Sequence, residues 1–321
     1  MRRSLFLALL SSLTLALNSC GGKNQPVHYS TLVMGTFCDL TFYPTTNTNV
    51  KEASALIFQR IKHLESLWSI YRKESEISRL NLTGRVKVSP ETRLVIEKSR
   101  EISQITGGAF DITIAPLMVA WQKGEKRGKI PEIKKYLPLV DYRKVKISPD
   151  GTVTFLKKGM AIDLGGIGKG AAVDEAVTLL KALGINSGLV NLGGNIYAFG
   201  NGPHQGKWRV GIQNPEKEGV IGSILIKDCG VSTSGNYQRY LEIAGKRYSH
   251  ILDPKTGTLK NFPASVTVVA PTATLADGLS TALFVLGPEK GMRVAEKIKG
   301  VEVLFIVSDG KLISTKNFPF G

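Results

Sequence analysis

Residues 161–171 read AIDLGGIGKGA, an apolar run typical of a strand that enters a glycine-rich turn and continues into a helical pattern over residues 170–183. Such a turn exposes backbone N–H groups at a helix N-terminus, where phosphate binds well. The stretch fails the Walker A pattern because Gly170 follows Lys169 where a serine or threonine is required. It matches the dinucleotide-binding pattern formally, but residues 176–215 contain no acidic residue for a ribose. Two interpretations stay open: a phosphate-binding turn of another kind, or a merely tight turn.

The elements around this stretch indicate a mixed fold. Apolar residues at helical spacing predict further helices over residues 50–71, 90–106, 272–286 and 289–299, the last two separated by Gly287-Pro288. Alternating residues predict a strand over 31–43, short β runs within 160–252 and a closing hairpin from 301–307 and 311–315, while 129–158 forms a charged connector. The sequence therefore predicts a mixed α/β (α+β) fold with largely antiparallel sheets flanked by helices.

The N-terminus resembles an export signal. Two arginines precede residues 5–17, an apolar run that is too short to span a bilayer as a helix. Small residues before Cys20 resemble a bacterial lipobox, which predicts a signal peptide over 1–19, a membrane tether over 20–30 and one domain over 31–321. Acylated Cys20 would then hold the exported protein on a membrane. An ordinary signal peptide cleaved nearby is the alternative.

Composition narrows the classes of partner. The 321 residues are 42% hydrophobic, which excludes a disordered chain, and the net charge of +16 favours an anionic lipid surface or a phosphorylated ligand. No basic patch with interleaved aromatic residues predicts a nucleic-acid site, and the basic run over 123–129 is typical of a solvated loop. Cys38 and Cys229 would form either a disulfide or two separately buried thiols, and we expect the thiols.

Asp277, Ser280 and Thr281 share one face of a predicted helix, because they recur at i, i+3 and i+4. One carboxylate and two hydroxyls are suitable oxygen ligands for Mg²⁺, which leaves room for substrate phosphates. The alternative is structural: Asp277 caps the helix and the two hydroxyls bond back along it.

Two further polar residues are candidate site residues: His250, in a turn sequence, and Asp111, in an apolar sequence. His250 lies three residues before Asp253 in RYSHILDPKTG, a tight-turn sequence, and a lone histidine of this kind is usually structural. Asp111 lies amid apolar residues in GGAFDITIAPL, so its carboxylate must be paired, capping or functional.

Eight short blocks occur in a set order along the chain. They are Met34-Gly35-Thr36-Phe37; Ser69-Ile70-Tyr71 with Ser75-Glu76 and Leu80-Asn81; Gly108-Ala109-Phe110-Asp111; Asp163-Leu164-Gly165-Gly166-Ile167-Gly168-Lys169-Gly170; Asn191-Leu192-Gly193-Gly194-Asn195; Thr233-Ser234-Gly235; His250-Ile251-Leu252-Asp253-Pro254-Lys255-Thr256-Gly257; and Ala276-Asp277 to Thr281. The series resembles the FAD:protein FMN transferase family, often called ApbE, over about residues 30–315.

The resemblance implies Mg²⁺-dependent transfer of FMN from FAD to a threonine of an acceptor protein, with release of AMP. It implies acceptors among membrane redox subunits, such as those of NADH:quinone reductases, and an enzyme anchored on the periplasmic side of the inner membrane. Residues that match the family's FAD contacts are Met34, Tyr71, Ala109, Phe110, Asp111, Asp163, Lys169 and Ile251. Residues that match its metal ligands are Gly166 (through its carbonyl), Asp277, Ser280 and Thr281. His250 matches a proposed base, and Lys169 stands where some relatives carry an acidic residue.

Two other functions are compatible with these residues. An FAD pyrophosphatase would use the same metal site with water in place of threonine, and a flavin-storing lipoprotein would bind FAD without chemistry. Residues 277–283 also resemble the family's acceptor segment, Asp-Gly-x-Ser/Thr-Gly-Ala-Thr, but Leu283 replaces the acceptor threonine. We therefore expect the chain to modify a separate protein and not itself.

Overall fold

A mixed architecture of helices and antiparallel sheets is seen in the computed structural model, which describes residues 25–45, 48–237, 240–243, 245–307 and 310–321. The α-helices are α1 (Val50–Trp68), α2 (Glu76–Thr83), α3 (Pro90–Ile105), α4 (Ala115–Lys126), α5 (Gly168–Ala182) and α6 (Ala273–Ala295). Short 3₁₀ turns occupy Ile112–Ile114, Ile133–Lys135, Leu137–Leu139 and Tyr142–Lys144. The predicted signal peptide over 1–19 and the predicted lipid site Cys20 lie outside the described residues.

The strands form one large sheet and three small ones. They are β1 (Val27–Val33), β2 (Thr36–Phe42), β3 (Arg85–Lys87), β4 (Val145–Ile147), β5 (Thr152–Phe155), β6 (Gly188–Leu192), β7 (Asn195–Phe199), β8 (Trp208–Gln213), β9 (Val220–Ile226), β10 (Cys229–Gly235), β11 (Tyr240–Ile243), β12 (Lys246–Ser249), β13 (Ser265–Ala270), β14 (Glu302–Ile306) and β15 (Leu312–Ser314). The large sheet has the order β1-β2-β6-β7-β10-β13-β14-β15, and every neighbouring pair is antiparallel. The predicted α+β class is confirmed.

The middle of the large sheet is buried on both faces. Val266 and Val268 of β13 belong to the main core beneath the helices, whereas Val269 belongs to a second cluster with Trp208 and Val210 of the β8–β9 hairpin. Successive side chains of a strand point to opposite faces, so β13 serves both layers. The helix face of this doubly covered region carries the residues described in the next section.

Several predicted elements are confirmed. Helices α1 and α3 and the closing hairpin of β14 and β15 lie where apolar spacing places them. The last helix pair is interrupted at Gly287, whose φ of 73° and ψ of 174° are not helical. Cys38 and Cys229 are free thiols, as expected, but only Cys38 is buried, whereas Cys229 is half-buried. Among the described residues, no helix has the length and apolar character needed to cross a membrane.

Other boundaries were predicted wrongly. The single strand expected over 31–43 is a hairpin, because Met34 and Gly35 take left-handed φ values of 52° and 71° and turn the chain. Strand β1 begins at Val27, inside the expected tether over 20–30. Helices α2 and α4 were not expected, and the connector over 129–158 contains β4, β5 and 3₁₀ turns.

The run before the glycine-rich turn is also not a strand. Residues 161–164 belong to no strand, and the Asn81 side chain takes the place of a neighbouring strand at Ile162. Its amide accepts from the Ile162 N–H at 2.7 Å and donates to the Ile162 carbonyl at 2.8 Å. A side chain thereby satisfies the backbone groups that lead into α5.

Candidate active site

The glycine-rich turn pairs much of its backbone within the fold. Asp163 Oδ1 accepts from the Gly165 N–H at 2.6 Å, the Gly168 N–H donates to the Leu164 carbonyl at 2.7 Å, and the Gly170 N–H donates to an Asp277 oxygen at 2.9 Å. These three N–H groups are already used, which argues against the whole turn as a backbone phosphate cradle. The turn does start a helix, as predicted, and it presents the Lys169 side chain.

Asp277 lies in the second turn of α6 and is 4% exposed. It does not cap its own helix, because Thr272 does so by accepting from the Leu275 N–H at 3.1 Å. Its Oδ2 instead accepts from Gly170 in the first turn of α5, a helix without a side-chain cap of its own. Burial raises the pKa of Asp277, and the nearby Lys169 ammonium opposes that rise.

Asn195, in β7, hydrogen-bonds to both charged side chains of this site, Asp277 and Lys169. The amide orientation that avoids like-to-like contacts places its nitrogen 3.0 Å from Asp277 Oδ1 and 2.8 Å from Ser232 Oγ. Its oxygen then lies 2.9 Å from Lys169 Nζ. Asn195 is 2% exposed and was not among the predicted site residues. Its position in the quoted Asn-Leu-Gly-Gly-Asn block was the available signal.

Thr281 and Gly166 come together from α6 and the glycine-rich turn. A Cβ placed on Gly166 would lie 3.3 Å from Thr281 Oγ1 and 3.1 Å from the Phe110 ring. Ser280 faces β10, where its hydroxyl lies 2.9 Å from Ser234 Oγ and donates to the Asp277 carbonyl at 2.9 Å. The back-bonding alternative therefore describes Ser280 better than Thr281, whose distance to that carbonyl is 3.5 Å.

These oxygen donors fit Mg²⁺ by their chemistry. The described residues contain no cluster of three or more His, Cys, Asp or Glu side chains, so a site built only from such groups is not present among them. Asp277 supplies one buried carboxylate, and Thr281, four residues further along α6, brings its hydroxyl close to Gly166. Mg²⁺ typically takes one or two protein carboxylates and completes its shell with substrate phosphates and water.

Asp111 is both paired and capping. Its Oδ1 accepts from the N–H and the hydroxyl of Thr113, at 2.8 and 2.6 Å, and its Oδ2 accepts from the Tyr142 N–H at 2.9 Å. Burial raises the pKa of this carboxyl. Asp111 also lines a cavity of about 470 Å³, together with Gly108, Tyr142 and Lys255. Residues of two sequence blocks therefore line one cavity: the block that contains Asp111 and the block that contains His250.

His250 is exposed and follows β12 directly, at the start of the tight-turn segment. Ile251 beside it is buried in the main core. The predicted turn is confirmed, since the Gly257 N–H donates to the Asp253 carbonyl at 2.7 Å. The Asp253 carboxylate accepts from the Lys255 N–H at 2.9 Å and lies 3.8 Å from Lys260 Nζ, so it is engaged by its own segment.

The remaining predicted flavin contacts differ in exposure. Tyr71 is 83% exposed just beyond the end of α1, which suits a ring that stacks on a ligand. Ala109 and Phe110 are buried, and Met34 packs against the main core from the β1–β2 turn. Their roles as flavin contacts remain predictions.

A buried carboxylate, a neighbouring hydroxyl and a lysine beside a glycine-rich turn are features of enzymes that act on phosphate groups. The ApbE family model matches residues 34–305 of the chain. The chain belongs to the ApbE family.

Relatives and solved structures agree with this assignment. The chain is 33% identical to an FAD:protein FMN transferase of Treponema pallidum (95% of this chain, 92% of the relative) and 33% identical to one of Vibrio cholerae (95% and 94%). Its fold is similar to that of the ApbE protein of Thermotoga maritima, with a TM-score of 0.85, 29% identity and coverage of 91% and 98%. It is also similar to the flavin transferase ApbE of Vibrio cholerae, with a TM-score of 0.81, 30% identity and coverage of 92% and 98%.

Proposed function

We propose that this chain is an FAD:protein FMN transferase that moves FMN from FAD to a threonine hydroxyl of an acceptor protein, depends on Mg²⁺ and releases AMP. The observation that carries the proposal is the grouping of Asp277, Thr281 and Gly166 beside Lys169, in a chain whose relatives are named FAD:protein FMN transferases. One carboxylate, neutral oxygens and one cation suit a pyrophosphate, whose charge must be neutralised before it is cleaved.

The reaction exchanges one phosphorus–oxygen bond for another. The threonine oxygen of the acceptor attacks the phosphorus of the FMN half, the bond to the bridging oxygen breaks, and AMP leaves with that oxygen. The hydroxyl proton passes to His250, because an exposed histidine imidazole is a suitable general base for this step. Lys169 stabilises the negative charge that develops on the departing phosphate.

Magnesium supplies charge neutralisation on the pyrophosphate oxygens when it is bound. Asp277, Thr281 and the Gly166 carbonyl are the groups proposed to hold it, with Ser280 as a further candidate. The Asn195 amide binds the Asp277 carboxylate through its nitrogen and the Lys169 ammonium through its oxygen. Lys169 therefore need not form a direct ion pair with the Asp277 carboxylate.

FAD is proposed to lie across the surface between the exposed Tyr71 ring and the buried Ala109–Phe110 segment. Tyr71 and Met34 suit the isoalloxazine, since one offers an exposed ring and the other a polarisable thioether. Asp111, Asp163 and Ile251 are the other proposed contacts. The net charge of +16 favours binding of this dianionic substrate.

The place of action is proposed to be the periplasmic side of the inner membrane, with a lipid on Cys20 as the anchor and membrane redox subunits as acceptors. The support is the lipobox-like sequence around Cys20. Expression of the full chain and of Cys20→Ala with a palmitate label, followed by membrane fractionation, tests the anchor. Label and membrane retention in both proteins would overturn it.

The decisive experiment incubates the purified chain with FAD, Mg²⁺ and a candidate acceptor domain, and then measures the intact mass of the acceptor. We expect the acceptor to gain one FMN while an equal amount of AMP appears. An acceptor with valine in place of its threonine is the matched control and should gain nothing. Equal free FMN and AMP with an unchanged acceptor would show a pyrophosphatase instead, and intact FAD would show a storage protein.

A further inference from the structure

Helices α5 and α6 each cap the other near their N-termini. Asp277 of α6 accepts from the Gly170 N–H of α5 at 2.9 Å. In return, Asp174 of α5 accepts from the backbone N–H groups of Ala273 and Thr274, both at 2.8 Å, in the first turn of α6. The Thr274 hydroxyl donates to the same Asp174 carboxylate. Two carboxylates thus satisfy the first-turn donors of each other's helices, donors that a helix cannot satisfy itself.

Asp174 does more than complete a helix cap. Helix α6 already has Thr272 as its N-cap, which accepts from Leu275. The bonds of Asp174 add a connection between two helices, formed by residues 99 and 100 positions apart in the chain. A carboxylate at a helix N-terminus is also favoured by the helix dipole, which offsets part of the cost of burying it.

The spacing of the two caps fixes the position of Asp277. Asp174 lies four residues after Gly170 on α5, and Asp277 lies four residues after Ala273 on α6, about one helical turn in each case. The helices approach closely between the two caps, since a Cβ on Gly170 would lie 2.3 Å from the Ala273 carbonyl oxygen. Two contacts one turn apart prevent α6 from sliding or rotating on α5, whereas one contact would permit both motions.

We propose that Asp174 is a positioning residue of the transfer site, which holds the first turn of α6 on α5 so that Asp277 and Thr281 face the Gly166 turn. The inference rests on the proposed function for its catalytic consequence, but its structural part concerns this chain alone. Asp174 makes no chemical contribution to the reaction. It acts through the placement of the oxygen donors for the metal.

The test compares Asp174→Asn with Glu175→Gln in the full chain. Glu175→Gln is the matched control because it removes the same charge from the next residue of α5. The Glu175 carboxylate binds Arg60 of α1 at 2.7 Å and does not cap α6. Hydrogen exchange is followed in peptides that cover residues 168–172 and 273–277. The Mg²⁺ concentration for half-maximal transfer and the KM for FAD are measured in parallel.

In Asp174→Asn we expect faster exchange in both peptides, a half-saturating Mg²⁺ concentration raised about tenfold, and a KM for FAD within about twofold of the wild-type value. Glu175→Gln should leave both peptides unchanged. Faster exchange confined to residues 273–275, with an unchanged Mg²⁺ requirement, would overturn the proposal because Asp174 would then be a local cap only. The exchange result stands whether or not the chain transfers FMN, so failure of the proposed function is recognised separately.

Thr274→Val covers the case in which Asp174→Asn does not fold. This change removes the hydroxyl bond to Asp174 and keeps the two backbone bonds. We expect smaller shifts in the same direction for the Gly170 peptide and for the Mg²⁺ requirement. An unchanged Gly170 peptide in Thr274→Val would contradict the proposal.

Discussion

Asp277 is the residue on which the proposed chemistry depends most. Replacement by alanine removes the negative charge that is proposed to bind the metal. It also leaves the buried Gly170 N–H unpaired, at a cost of ~1–3 kcal/mol in unfolding free energy. Asp277→Asn separates the two effects, because an amide oxygen still accepts from Gly170 and the negative charge is lost. We predict that Asp277→Asn unfolds close to the wild-type temperature and loses Mg²⁺-dependent transfer by at least ~100-fold. Near-normal turnover of Asp277→Asn at low millimolar Mg²⁺ would remove Asp277 from the metal site.

His250 is predicted to affect rate and not binding. A general base typically contributes 10²–10⁴-fold to a rate and little to ground-state affinity. His250→Ala should therefore slow transfer within about that range while FAD affinity, measured by flavin fluorescence, stays near the wild-type value. His204→Ala is the control, since His204 stands in a turn near β8 outside the predicted site. A loss of turnover that only follows a loss of FAD affinity would point to a structural histidine.

Asp111 gives a prediction for pH dependence. Burial raises its pKa in the folded state, so the folded protein binds this proton more tightly than the unfolded chain does. The contribution of Asp111 to stability is therefore most favourable at low pH and falls as pH rises, from the ordinary aspartate pKa of ~3.9 up to the raised value. Urea unfolding of the wild type and of Asp111→Asn across this range should give free-energy curves that are not parallel. Parallel curves would show that the carboxyl titrates normally.

At the scale of elements, the contact between α5 and α6 determines the geometry of the site. Gly170 permits it, because a Cβ would meet the Ala273 carbonyl oxygen at 2.3 Å and Asp277 Cβ at 2.7 Å. We predict that Gly170→Ala lowers the free energy of unfolding by ~1–3 kcal/mol or more and weakens transfer, since α6 must shift. Gly222→Ala in β9 is the control, because its Cβ would meet nothing within 4 Å, and should change stability by less than ~0.5 kcal/mol. Equal stability of the two variants would contradict the close approach.

The long helices were predictable from sequence and the short ones were not. Helices α1 and α3 bury a regular stripe, whereas α2 has eight residues and buries only Glu76, Ile77 and Leu80, which is too little for a periodic signal. The β1–β2 hairpin was missed because alternation continues across its two-residue turn. The run before α5 is hydrogen-bonded to the amide of Asn81, and no local sequence pattern indicates a partner so distant in the chain.

The candidate site divides in the same way. Asp277 and Thr281 were predicted because helical spacing and motif matching are local properties of the sequence. Asn195 and Asp174 were not, because their importance comes from partners on other elements that only the tertiary fold brings near. The sequence left open whether the N–H groups of the glycine-rich turn bind phosphate or only form a tight turn, and Asp277 proved to be the partner of one of them.

At the scale of the whole molecule, helix α6 is both core and site. One face packs on the large sheet, where Ser280 meets β10, and its first turns bind α5. A helix fixed on two sides can hold ligands in place, but it cannot easily leave to become a substrate. This double role bears on whether the chain modifies itself.

The last prediction is that the chain does not flavinylate its own residues 277–283, although they resemble the acceptor segment. Leu283 stands in the threonine position and is 0% exposed, and a Cβ on Gly278 would lie 2.5 Å from the Ile102 side chain, so the segment is buried apart from the half-buried Thr281. Extracting it would expose Leu279 and Leu283, at ~1.5–3 kcal/mol for each side chain, and would dismantle the proposed metal site.

Two proteins distinguish the effect of the missing hydroxyl at residue 283 from the effect of its burial. The wild type and Leu283→Thr are each incubated alone with FAD and Mg²⁺, denatured and weighed intact, and we expect neither to gain an FMN. The wild type lacks a hydroxyl at residue 283, whereas Leu283→Thr has one that stays buried in the helix. A gain in Leu283→Thr alone would show that the missing hydroxyl, and not burial, protects this segment. A stoichiometric gain in the wild type would overturn the prediction, and mapping the modified residue would show which part of the chain reaches the site.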